Sequence, residues 1–159
     1  MNSKINFQTL IYGSLLIFSS LFISCDSDDL EIPNAKTLDF QLFSLEVPQD
    51  WTSFTQQGID TYVGGLTNKI DTLYFDYGYF SFGSIDDIEE TAETISFEVL
   101  KIDGEDAKIV IEKRAQEPEI RYSLYVDKRD GTNLNRIYSY GFDDEDLIKT
   151  IFLSHRFTN

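Results

Sequence analysis

The stretch FEVLKIDGEDAKIVIEK, residues 97–113, decides the reading of the fold. Two apolar-rich runs, Phe97 to Ile102 and Ala107 to Lys113, flank Asp103-Gly104. A tight hairpin turn needs left-handed backbone at its centre, which Asp tolerates and Gly adopts without steric cost. Asp-Gly between such runs therefore marks an antiparallel hairpin.

The same period-2 pattern extends outward in both directions. Toward the N-terminus, Leu73, Phe75 and Tyr77 alternate with Tyr74 and Asp76, and Thr61 to Leu66 reads as a short strand with a bulge at Gly64-Gly65. Phe43, Leu45 and Val47 alternate with Ser44 and Glu46 until Pro48 ends the ladder. Toward the C-terminus, Ile120, Tyr122, Leu124 and Val126 share one face, and Asp130-Gly131 introduces a strand at 136–142. Helical spacing then takes over. Leu147, Ile148, Ile151 and Phe152 fall on one side of a helix over 143–153, with Asp143 as its cap and His155 and Arg156 beside its negative end. A second helix is expected over 85–94, opened by the Ser84-x-x-Asp87 capping box. The expected class is α+β: a mainly antiparallel sheet of about six to seven strands with a C-terminal helix packed on it.

Three motifs carry a resemblance to a known family. Phe43-Ser44-Leu45-Glu46-Val47-Pro48 followed by Trp51, the hairpin Ile102-Asp103-Gly104 with Ala107-Lys108-Ile109-Val110, and Ile148, Ile151, Ser154 and Phe157 at the end resemble the α-β-α sandwich superfamily. That superfamily is typified by PsbP, the extrinsic subunit of photosystem II, and by a Ran-binding nuclear import factor. Asp50 stands where the family usually has Gly before the Trp. The PsbP-like resemblance implies the fold and a non-catalytic binding or assembly role, and it supplies no catalytic residue.

The N-terminus speaks about location. Met1 to Ser24 holds a single charged residue, Lys4, and Leu10 to Ile23 is apolar or small throughout. That run is too short to span a bilayer, which takes about 20 residues, and it suits the apolar core of a signal peptide. Leu21-Phe22-Ile23-Ser24 ahead of Cys25 resembles the lipobox of bacterial lipoproteins, with Phe22 where Leu is usual. The resemblance implies cleavage before Cys25 and lipidation of its thiol and new amino terminus. Several acyl chains, at about 0.8 kcal/mol per buried methylene, anchor a domain stably. The chain thus divides into a signal peptide (1–24), an acidic linker after the lipidated Cys25 (25–36) and one α+β domain (37–159). Asp26-Ser27-Asp28-Asp29 suits surface display and a plain polar tether alike.

Charge and composition narrow the chemistry. Among 159 residues, 13 Lys and Arg stand against 28 Asp and Glu, for a net charge of −15, so nucleic acid is excluded as a partner. One Cys and one His leave no zinc site or disulfide framework, and no P-loop, G-x-G-x-x-G or G-x-S-x-G occurs. Asp86, Asp87, Glu89 and Glu90 lack calcium-loop spacing and read as a solvated face. No catalytic, cofactor or metal residue is expected, and Trp51 reads as a core anchor. The candidate binding surface lies in DTLYFDYGYF, residues 71–80, where Tyr74, Asp76 and Tyr79 place phenols beside carboxylates, a pairing that holds sugars or cationic peptides. The function expected is a lipid-anchored, non-enzymatic binding or assembly module of the bacterial envelope, with an envelope protein or glycan as partner. The alternative is a small envelope hydrolase using paired carboxylates.

Overall fold

The computed structural model of the chain describes residues 31–78, 83–128 and 133–158. The leader, Cys25, the acidic tether up to Leu30, and Tyr79 lie outside the described residues.

Two antiparallel sheets form, where a single one was expected. β1 (Lys36–Asp39), β2 (Phe43–Val47) and β10 (Arg156–Phe157) make a small sheet in the order β1-β2-β10. β3 (Thr52–Gln56), β4 (Tyr62–Thr67), β5 (Thr72–Tyr77), β6 (Thr94–Ile102), β7 (Glu105–Glu112), β8 (Arg121–Lys128) and β9 (Asn133–Tyr140) make the large one, in the order β3-β4-β5-β9-β8-β7-β6. The large sheet is two meanders joined where β5 pairs with β9. Asp103 (φ 54°) and Gly104 (φ 83°) turn the β6–β7 hairpin in the expected left-handed conformation, with Ile102 opposite Glu105. The body starts a little ahead of residue 37: Lys36 opens β1, and Ile32 belongs to the core.

Gly64-Gly65 makes no bulge, since β4 keeps unbroken register with both neighbours. A Cβ at Gly64 would lie 2.6 Å from Phe75 Cζ and one at Gly65 2.5 Å from Phe54 Cζ. The two glycines let one ring cross β4 on each face of the sheet.

The helix α1 (Glu145–Leu153) and the small sheet cover one face of the large sheet. Phe43, Leu45, Leu73, Leu124, Ile137, Ile148, Ile151 and Phe152 are wholly buried there. Such a side chain contributes about 1.5–3 kcal/mol. The helix cap is Asp144, one residue later than expected: its carboxylate accepts from Leu147 N at 2.9 Å. Lys149 fixes α1 to β6 through Glu98 (3.1 Å) and to its own first turn through Glu145 (3.2 Å). Burial works against the Lys149 charge, but these hydrogen bonds hold its pKa above the ordinary lysine value. No described helix is long and apolar enough to cross a membrane.

The second helix shrinks to a single 3-10 turn, Ile85–Asp87. Its capping box forms as expected, with Ser84 Oγ accepting from Asp86 N and Asp87 Oδ2 from Ser84 N. It stops because Lys108 Nζ donates to the carbonyls of Ile85 (2.7 Å) and Ile88 (2.8 Å), groups that a longer helix would turn to its own next turn. Ile85 thereby seals a second, smaller core with Val110, Tyr125 and Leu134 on the opposite, outer face of the large sheet.

Candidate functional site

Away from that turn, the outer face carries a row of aromatic rings. Period-2 alternation turns Tyr74 and Asp76 away from the buried Leu73, Phe75 and Tyr77, as expected. Register then sets Tyr74 opposite Tyr138 and Asp76 opposite Arg136. Phe54, reaching across Gly65, meets Tyr74 edge-on at 6.2 Å. Tyr74 stacks on Tyr138 at 5.6 Å, and Tyr138 meets Tyr140 edge-on at 5.8 Å. Four rings from β3, β5 and β9 thus form one contiguous row, across the sheet as far as β9 and then along that strand.

Two guanidinium groups support the row. Arg136 lies 4.3 Å from the Tyr138 ring centre and 5.6 Å from that of Tyr125. Arg121 lies 5.7 Å from the Tyr140 ring centre. Burial raises the Tyr138 phenol above its usual pKa, with the Arg136 charge pulling the other way, so Tyr138 presents a neutral hydroxyl at physiological pH. Arg121 is only 4% exposed and meets Glu112, itself 6% exposed, with Nε 3.0 Å from Oε1. Its Nη2 stands 3.4 Å from Glu117 Oε1. The hydrogen-bond angles are poor, leaving Nε and Nη2 without a directed acceptor, so charge holds this cluster more than aligned bonds do. At the Tyr140 end of the row the surface sinks into a groove of about 570 Å³ between the β4–β5 turn and the 117–119 segment.

The expected surface is therefore assembled in part. Tyr74 and Asp76 are there and half-buried, whereas Tyr79 lies outside the described residues. Asp76 faces a nearly buried guanidinium and belongs to the support of the row as much as to its surface. Sequence reasoning missed Phe54, Tyr138, Tyr140, Arg121 and Arg136. The alternation of Leu134, Arg136, Tyr138 and Tyr140 held the signal for β9, but TSFTQ (52–56), with one apolar residue, gave none for β3.

No family model matches the chain, and no curated protein matches it. Among solved structures the chain is similar to a protein of Bacteroides thetaiotaomicron known from a crystal structure, with a TM-score of 0.48 and 16% identity. The match covers 74% of this chain and 46% of that one, so this chain spans less than half of that protein's length.

Other residues fall into structural places. Trp51 is 1% exposed and stacks on Phe142 at 6.0 Å, the core anchor expected of it. Asp87 is used in the capping box of the 3-10 turn. His155 departs from expectation: it is wholly buried, stacked on Phe43 at 5.3 Å and edge-on to Phe157 at 4.7 Å. Burial, aided by the Arg156 charge, pushes its pKa down to about 3, so it is a neutral core residue and not a charged partner of the helix dipole. It shares a 3.0 Å hydrogen bond with the buried amide of Asn135.

Proposed function

We propose that this chain is a lipid-anchored, non-enzymatic binding module of the bacterial cell envelope. It is tethered through lipidated Cys25 and presents the open outer face of its large sheet to an envelope protein or glycan. The observation that carries the reading is the ring row Phe54–Tyr74–Tyr138–Tyr140, aromatic surface stiffened from beneath by Arg121 and Arg136. Rigid rings with polar tips offer contact area at low entropic cost. Kinship with the PsbP-like sandwich forms part of the proposal, supported by Trp51 closing the turn after β2 and by Ser154 Oγ accepting from Glu46 N at 2.9 Å, which ties the closing helix to that strand. The hydrolase alternative draws on the groove, where Asp71, Glu117 and Glu119 share one lining.

The test is affinity capture from detergent-solubilised envelopes with the wild type and Tyr74→Ala. Partner recovery should fall by about thirtyfold in affinity or more, as for an interface tyrosine, while the fold survives. Undiminished recovery would move the binding surface elsewhere. Hydrolytic turnover by the wild type that Glu119→Gln abolishes would favour the alternative.

A further inference from the structure

The groove at the end of the ring row has a one-sided chemistry. Tyr74 and Tyr140 offer their rings to it, and Asp71, Glu117 and Glu119 contribute three carboxylates, with no lysine or arginine in the lining. The nearby cations are already paired. Arg121 is held between Glu112 and Glu117, Arg114 Nε reaches Glu112 at 3.2 Å, and Lys113 Nζ donates to the Pro118 carbonyl. Of the acids in the lining, Glu117 is spent, since its Oε1 stands 3.4 Å from Arg121 Nη2, and Glu119 is not. Glu117 Oε2 is shut off from solvent and accepts no hydrogen bond. Among the described residues the Glu119 carboxylate forms no hydrogen bond or ion pair. Its position depends on Gly141, where φ is 64° and an added Cβ would lie 2.9 Å from Glu119 Cδ. The carboxylate therefore lies against bare backbone beside Tyr140.

We propose that this groove binds a basic peptide, taking one lysine or arginine side chain against the Tyr74 and Tyr140 rings with its cationic head on Glu119. The proposal rests on the binding-surface reading above and names the class of partner. Ring faces attract a cation through their quadrupole, and the unpaired Glu119 carboxylate beside them completes its coordination. The net charge of −15 draws such a peptide in. A neutral glycan could stack on the same rings, but covering the groove would strip water from Glu119 without returning a counter-charge. That difference favours the cation.

The experiment titrates a fluorophore-labelled tetra-arginine peptide into the full-length chain in non-ionic detergent, read by anisotropy. About 150 mM salt screens attraction beyond about 8 Å. Saturable binding is expected, weakened about fivefold by Glu119→Gln and by Tyr140→Leu, the scale of one exposed ion pair or cation–π contact. Tyr140→Phe should retain it. Glu90→Gln removes the same charge from the exposed stretch after the 3-10 turn and should change nothing. Equal weakening by Glu119→Gln and Glu90→Gln, or no saturable binding, overturns the proposal. Binding of chitotetraose that needs Tyr74 and ignores Glu119 also overturns it while sparing the binding surface. Undiminished partner capture by Tyr74→Ala removes both.

Discussion

The imidazole of His155 lies between Phe43 and Phe157 with one hydrogen bond, to Asn135, while its Nδ1 and the Asn135 Oδ1 have no partner among the described residues. An unfolded histidine titrates near 6.5, and this one, with its pKa at about 3, stays neutral through mild acid. Between those values the unfolded chain takes up a proton that the folded chain refuses. Stability from this residue is therefore present above about pH 6.5 and is lost as pH falls toward 3, at up to about 1.4 kcal/mol per pH unit. Urea unfolding of the wild type should show that loss from about pH 6.5 to 5.5, ahead of most carboxylate titration, and His155→Gln should flatten it. Parallel slopes would refute the assignment. The outer face yields a second expectation at this scale. Asp76 stands opposite the nearly buried Arg136, so Asp76→Ala should cost more than about 1 kcal/mol, whereas the exposed Tyr140→Phe should stay within about 0.5 kcal/mol. A single histidine two residues beyond a helix is readable in the sequence as a charge at a dipole. Its burial depends on Phe43, more than 100 residues away, and no local pattern reports that.

Each element is fixed by a few local signals, and these were the legible part of the chain. Alternation at 43–47 and 73–77, together with Asp103-Gly104, gave strands and a turn where the structure has them, because side-chain direction and turn sterics act over two to four residues. The helix at 85–94 misled because its signal was also local. Its capping box is satisfied within a single turn, and Lys108, from a strand some 20 positions later, takes the carbonyls that propagation needed. The closing helix can be tested directly. Ile151 is wholly buried beneath it, so Ile151→Ala should lower unfolding free energy by about 2–5 kcal/mol with little change in denaturant slope. Asp144→Ala should cost about 1 kcal/mol and Asp143→Ala close to nothing, and the reverse order would restore the cap to Asp143.

At the scale of the whole molecule, the proposed anchor can be tested apart from folding. Cys25→Ala should release the protein from membranes and abolish labelling by a palmitate analogue, and equal labelling of both forms would remove the anchor. The division into two sheets was not legible, because pairings such as Phe43 with Phe157 join distant segments through a two-residue strand that has no pattern of its own. The ring row shares that origin: β9 was readable in part and β3 not at all, so their meeting with β5 had no sequence signature. The seam between β5 and β9 also governs the order of folding. Every other ladder in the large sheet joins consecutive strands, but this one closes a loop of about 60 residues and adds the entropy of that closure. While the chain emerges N-terminus first, β3, β4 and β5 are complete long before β9 exists, and the edge of β5 stays unpaired over that interval. A nascent chain of this design exposes an adhesive strand until its last sixth arrives. Slow synthesis or truncation before Asn133 should therefore favour aggregation over partial folding.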